Sequence, residues 1–228
     1  MLNNSNLVII TTTLSHNSIS EKRRINLINN FSKYNISVIF NHGTKDFNHG
    51  TKDIATVNNI LFIKIKNNME MYKKTTFDYA IICDDDFYPI SNFLEELNKT
   101  VALLPDNWEC LHLCPGYAWG RLFRDTSKIS YLNPESNMNG IDYHESGRFY
   151  INCNPFIYVK KGFWMGGPVA ILLNKNSVDK CMNSFINQYN KVNHAHDVVF
   201  TRILNENSYV CRQPQLGYEK EEGGTTFR

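Results

Sequence analysis

The chain has 228 residues and a mass of 26.5 kDa, enough for one domain with a sizeable core and no covalent staples. Lys plus Arg number 24 against 22 Asp plus Glu, a net charge of +2. That balance excludes a nucleic-acid clamp, which needs clustered basic residues, and an acidic disordered tail. In chain order, residues 7–14 (LVIITTTL) are a short β-branched run and predict a buried strand. Ser20 is placed to cap a helix with an apolar stripe of Ile25, Leu27, Ile28 and Phe31. Residues 36–40 (ISVIF) and 60–65 (ILFIKI) read as two further strands, with a short helix over 68–76. Residues 77–83 (FDYAIIC) are a fourth strand that stops abruptly at Asp84, Asp85 and Asp86. Ser91 caps another helix, whose apolar residues are Phe93, Leu94, Leu97, Val101 and Leu104, and residues 108–114 form a fifth strand. Buried strands alternating with helices predict an α/β fold with a largely parallel sheet.

The second half is organised differently. Residues 115–155 are rich in Gly, Tyr, Asn, Arg and Ser with little periodicity, and an irregular stretch that long marks a functional excursion. Strands return at 156–159 and 169–173, helices at about 177–189 and 197–205, and a strand at 209–211 precedes a Gly-rich tail. No linker interrupts the pattern, so residues 1–228 read as a single domain. The heptad FNHGTKD at 40–46 recurs at 47–53. It reads as a slippage duplication in a tolerant surface loop; a His/Asp metal loop is the alternative. Two copies cannot build a solenoid.

The six cysteines are widely spaced, without a CxxC pair, and several lie inside apolar runs. They read as free, buried thiols in a reducing compartment. Cys110, His112 and Cys114 alternate along a strand, the wrong geometry for one tetrahedral zinc site. The start, MLNNSNLVII, reads as a first strand and not a signal peptide, and no apolar run approaches the ~20 residues that span a bilayer. The expectation is a soluble, cytoplasmic protein. Asn occupies 30 positions, none of them in the DDD, GGP or HDVV segments, so it reads as a background bias of an AT-rich genome.

The strongest chemical signal is Asp84-Asp85-Asp86. Open α/β sheets bind ligands outside the carboxyl ends of their strands, where this triplet falls. Like charges so close raise one another's pKa unless a cation neutralises them, and a hard divalent ion is the natural partner. An acidic turn that merely precedes the Ser91 helix is the alternative.

FDYAIICDDDF resembles the DxD segment of GT-A glycosyltransferases. Four further segments are similar to that family in the same order: PDNWECLHLCPG, FWMGGPVAILLNKNSVDKC, HAHDVVFTRIL and the tail QPQLGYEKEEGG. Small enzymes of this kind occur in bacteria and in large DNA viruses that glycosylate their own capsid proteins, which would place the protein in the host cytoplasm. The resemblance implies one GT-A, Rossmann-like domain, with a mostly parallel central sheet flanked by helices. It implies transfer of a sugar from a nucleotide sugar, typically a UDP-sugar, to a hydroxyl of a glycan or glycoprotein, with Mn²⁺ or Mg²⁺ and with inversion. Asp86 then matches the metal-binding position, Asp84 the position that meets metal or ribose, and Asp85 the variable middle. Gly166 and Gly167 match paired glycines whose backbone approaches a sugar or phosphate; a tight bend before a strand is the plain alternative.

The same resemblance makes Asp197 the catalytic base, although an Asp there also suits a helix cap. Thr11, Thr12 and Thr13 fall where the family grips the nucleotide base, and Arg23 and Arg24 where side chains reach the diphosphate, or else a solvated helix face. No His follows Asp197, so the third metal ligand is open, and His194 and His196 more ordinarily face solvent. Tyr117, Trp119, Arg121, Tyr143, Arg148 and Trp164 suit an acceptor site or the packing of a lid, and Gly223 and Gly224 a closing tail. The rival functions are another Mg²⁺- or Mn²⁺-dependent nucleotide enzyme and a non-catalytic carbohydrate-binding protein. Neither a P-loop nor a DxDxT nucleophile pattern is present.

Overall fold

In chain order the elements are β1 (Leu7–Thr13), α1 (Ser18–Ser32), β2 (Ser37–His42), α2 (Ile54–Lys73), β3 (Tyr79–Cys83), β4 (Phe87–Pro89), α3 (Phe93–Ala102), β5 (Cys110–Pro115), β6 (Ile141–His144), β7 (Arg148–Cys153), β8 (Phe156–Val159), β9 (Pro168–Asn174), α4 (Val178–Lys191), β10 (Ser208–Cys211) and β11 (Gly217–Glu219). The computed structural model describes residues 1–13, 18–42, 54–102, 104, 106–115, 141–144, 148–153, 156–159, 168–191, 208–211 and 216–219. The expected helix at 197–205 and most of the duplicated heptad lie outside these residues.

Every residue of β1 is buried, so successive side chains feed two different cores. Leu7 and Ile9 join Ile81, Leu111, Leu172 and, from α1 and α3, Leu27, Phe31, Phe93 and Leu97. Val8 and Ile10 join Ala80, Ile82, Ile171, Leu173 and, from α2 and α4, Met69, Tyr72, Cys181 and Phe185. The period-2 alternation of strands thus divides the helices into two layers, one on each face of the sheet. The large sheet runs β2-β1-β3-β9-β5-β10-β8-β7-β6. β1 is parallel to β2 and β3, β10 is parallel to β5, and β9 runs antiparallel to both β3 and β5. The central strands are therefore mostly parallel, with β9 alone reversed among the first six.

The structure corrects four local expectations. Residues 60–65 are not a strand; they belong to α2, which also absorbs the helix expected at 68–76 and ends at Lys73. Phe62, Ile65, Met69 and Tyr72 all pack on the second core at helical spacing, and this longer stripe prevails over the local β-branched composition. Lys175 closes that helix by donating from Nζ to the carbonyls of Tyr72, Lys73 and Thr75, at 2.6, 2.9 and 2.8 Å. Ser20 is not a cap, because α1 already begins at Ser18. The buried stripe of α1 is Ser20, Arg23, Leu27 and Phe31, while Ile25 and Ile28 are exposed. Residues 115–155 are not wholly irregular either: β6 and β7 pair antiparallel and β7 continues onto β8. The α3 start matches its expectation within one residue, with the Tyr34 hydroxyl accepting from the Phe93 N–H at 3.1 Å.

Cys83, Cys110 and Cys181 are free and buried. Among the described residues no helix is long and apolar enough to cross a membrane. His112 is fully buried in β5, and burial lowers its pKa to about 3. The folded value lies below the unfolded one, so the neutral imidazole adds stability above about pH 6.5, and that contribution fades as pH falls toward 3. Urea unfolding should show little wild-type change from this group above about pH 6.5, and a loss approaching about 1.4 kcal/mol per pH unit from there down to pH 4, absent in His112→Gln. Parallel curves for the two proteins would mean that the imidazole takes up its proton in the folded state.

Candidate active site

β3 delivers Ile82 and Cys83 into the two cores, and the chain then turns at Asp84, whose carbonyl accepts from the Phe87 N–H at 3.2 Å. Thr11 is registered beside Cys83, so Thr12 and Thr13 extend along the same carboxyl edge of the sheet as the aspartates. β9 enters at that edge because it runs antiparallel: Ala170 lies opposite both Cys83 and Cys114, and Pro168 opposite Pro115. The Gly166-Gly167 pair immediately precedes Pro168 in the chain but lies outside the described residues. β5 ends at the same edge, where the excursion starts.

The three carboxylates differ sharply in environment. Asp85 and Asp86 are buried and share the guanidinium of Arg23, whose Nη1 is 3.2 Å from Asp85 Oδ1 and 3.3 Å from Asp86 Oδ2. Asp84 is half-exposed and takes Lys64 Nζ at 3.0 Å on Oδ1. Burial pushes the Asp85 pKa up, against the pull of Lys64 and Arg23. Burial also works against the Lys64 ammonium, yet Asp84, Asp85 and Asp86 more than offset it and raise its pKa above the ordinary lysine value. Both cations come from helices: Arg23 from the buried stripe of α1, Lys64 from α2 on the other face of the sheet.

One turn beyond Lys64, Asn68 is buried on the same side of α2. Its Oδ1 accepts from Thr12 Oγ1 at 2.9 Å and from Asn41 Nδ2 at 3.2 Å, tying the ends of β1 and β2 to the helix. Thr11 Oγ1 is buried with no hydrogen-bond partner among the described residues. Arg24 lies over the ring of Phe40, the β2 neighbour of Thr11, at 5.4 Å and 3.7 Å from Glu21. Downstream of the aspartates, β4 pairs with β11, which sets Glu219 opposite Phe87. A Cβ on Gly217 would stand 2.1 Å from the Phe87 ring and 2.7 Å from the Tyr88 carbonyl, so only glycine permits this pairing.

Of the residues expected at the site, the structure brings together Asp84, Asp85, Asp86, Arg23 and Thr11 to Thr13. Asp197, His194, His196, Trp164, Gly223 and Gly224 lie outside the described residues. Lys64 and Asn68 went unnoticed in the sequence because their segment reads as a strand followed by a separate helix. Their four-residue spacing on a continuous helix was the signal. Among the described residues no three His, Cys, Asp or Glu side chains already converge on a metal position. The donor chemistry nevertheless fits a hard divalent ion: oxygen ligands only, one carboxylate half-exposed, and three carboxylates against the two paired cations.

No protein family matches the sequence, and no characterised protein matches it either. In structure the chain is similar to a glycosyltransferase involved in the glycosylation of the major capsid of PBCV-1, at 8% identity, 97% coverage of this chain, 95% of that one and a TM-score of 0.50. This is the GT-A fold. Mouse xyloside xylosyltransferase 1 is similar at 13% identity, 96% and 98% coverage and a TM-score of 0.48. Drosophila beta-1,4-galactosyltransferase 7, in complex with manganese, UDP-Gal and xylobiose, is similar at 13% identity, 96% and 68% coverage and a TM-score of 0.38. Within the GT-A fold the acidic turn sits at the carboxyl edge of the central strands.

Removing Arg23 strands two buried carboxylates. Arg23→Met should cost about 3 kcal/mol at pH 7 in chemical denaturation, with the deficit shrinking as the pH falls and Asp85, whose pKa burial already raises, takes up a proton. A pH-independent deficit would assign the loss to packing of the side chain alone.

Proposed function

We propose that the chain is a metal-dependent glycosyltransferase that moves a sugar from a UDP-sugar to a hydroxyl of a glycan or glycoprotein, with inversion. The observation that carries this reading is the acidic turn Asp84-Asp85-Asp86 at the carboxyl edge of β3 in a GT-A fold. The ordered sequence segments support it, because β9, preceded by Gly166-Gly167, starts at the same edge. The free buried thiols are in keeping with a reducing, cytoplasmic setting.

In this reading Asp84 and Asp86 hold the divalent ion, and Arg23 fixes Asp85 and Asp86 from below. When bound, Mn²⁺ or Mg²⁺ would offset the negative charge that develops on the departing diphosphate. Thr11, Thr12 and Thr13 flank the nucleoside. The glycine pair lets backbone N–H groups approach the sugar or diphosphate, and Arg24 approaches from α1. Asp197 takes the proton of the acceptor hydroxyl as its oxygen attacks the anomeric carbon from the face opposite the diphosphate. The bond to the diphosphate breaks with its electron pair leaving on the nucleotide, which inverts the anomeric centre.

Two substitutions separate donor binding from chemistry. Asp86→Asn should abolish Mn²⁺-dependent UDP binding in calorimetry, and unchanged binding would remove the acidic turn from the donor site. Asp197→Asn should bind donor normally but lose about 10²–10⁴-fold in transfer rate. Near-normal turnover would send the search for the base elsewhere.

A further inference from the structure

The two cations on the acidic turn are not equivalent. Arg23 belongs to the buried stripe of α1, its side chain is only 6% exposed, and it serves two carboxylates. Withdrawing it would leave Asp85 and Asp86 buried without their shared charge, so it is a fixed part of the turn. Lys64 touches one carboxylate, Asp84 at the rim, and pulls on Asp85 from further off: its side chain is 18% exposed and that of Asp84 is 47% exposed. A lysine is a point charge on a flexible stem, and its pair with the half-exposed Asp84 is easier to open than the two buried pairs of Arg23.

Resting on the glycosyltransferase reading of the turn, we propose that Lys64 is the resident counter-ion of Asp84, displaced from that carboxylate when a divalent cation binds and retained at the rim to meet the donor's diphosphate. Charge arithmetic gives the two roles opposite signs. Three carboxylates, Arg23 and Lys64 sum to −1, so the empty turn is nearly neutral and holds its shape without metal. A divalent ion brings the sum to +1, which suits the two negative charges of a nucleotide-sugar diphosphate. Without Lys64 the metal-loaded site sums to zero and attracts the diphosphate less. Lys64 therefore opposes the bare ion, by competing for Asp84 Oδ1, and favours the ion together with the nucleotide. Asn68, held by Thr12 and Asn41 one turn away, keeps this segment of α2 in place while the lysine swings.

The test is Lys64→Met in the full chain, with Mn²⁺ binding followed by electron paramagnetic resonance of the free ion, first alone and then with UDP. Bare Mn²⁺ should bind the variant more tightly by on the order of tenfold, and UDP in saturating Mn²⁺ should bind it more weakly by a similar factor. A merely structural lysine would weaken both. Unchanged or weaker binding of bare Mn²⁺ by the variant, with a wild type that binds Mn²⁺ and UDP, overturns the counter-ion role and leaves the proposed function standing. Failure of the wild type and of Lys64→Met to bind Mn²⁺ even with UDP overturns the metal reading of the turn itself. Should the Met variant not fold, the wild type supplies the measurement through ¹³C-methylated lysines. The Lys64 resonance, identified by its loss in Lys64→Arg, should move toward those of solvated lysines when Mg²⁺ is added, and a stationary resonance refutes displacement.

Discussion

Three consecutive carboxylates at the end of a strand buried on both faces cannot be left uncompensated, and much of the surrounding architecture serves that requirement. Asp85 and Asp86 are too deeply placed for water to neutralise them, so positive charge has to be carried in on side chains. The doubly covered sheet provides two directions of approach. Arg23 arrives with α1 from the face that holds Leu27 and Phe31, and Lys64 with α2 from the face that holds Met69 and Tyr72. The turn is thus clamped at the sheet edge between the two helical layers, and neither layer alone would suffice.

The downstream side of the turn is fixed by packing. Phe87, the residue after Asp86, lies against Phe31 and Phe93 at centroid distances of 6.2 Å each, and Phe31 meets Phe93 edge-on at 5.5 Å. These rings join α1 and α3 directly beneath the aspartates. The distant tail then closes on the same place, with the Leu216 N–H donating to Leu113 and the Leu216 carbonyl accepting from Ile90, at 3.1 and 3.2 Å. Gly217 lets β11 lie on the Phe87 ring. A site whose charges are set by α1 and α2 is therefore held in position by contacts from residues more than a hundred positions later.

How much of this is legible in the sequence depends on whether the signal is local. β1, β3 and β9 are visible because strands buried on both faces are unbroken apolar runs, and the site is visible because Ile-Ile-Cys changes to Asp-Asp-Asp in a single step. α2 is misread because ILFIKI has strand composition, and only the longer spacing of Phe62, Ile65, Met69 and Tyr72 reveals the helix. That error hides Lys64. Arg23 is noticed for the donor diphosphate and not for Asp85 and Asp86, because the helix stripe is phased partly on Ile25 and Ile28, which the fold leaves exposed. An arginine at a buried stripe position makes sense only when its carboxylates, some sixty residues away, are known to face it. β6 and β7 are lost for a related reason, since each is defined by a neighbouring strand more than by its own composition.

The overall charge of +2 excludes a polyanion clamp but says little about the site, where three negative and two positive groups lie together. Their imbalance of one charge is the quantity that matters, and their unequal burial gives it direction. The pair of aspartates with Arg23 is buried, whereas Asp84 with Lys64 is partly open to solvent and is, in the proposed reading, exchangeable. A site built this way stays folded when empty, because the cost of like charge is already met from within the chain. In the proposed reading it also has one position, Asp84, at which an incoming cation replaces a protein cation, and that carboxylate is half-exposed. The background of asparagines contributes at this edge as well: Asn68, with Asn41, holds the helix that carries the exchangeable lysine. Stability of the empty site and readiness to bind follow from the same arrangement, one fixed cation inside and one movable cation at the rim.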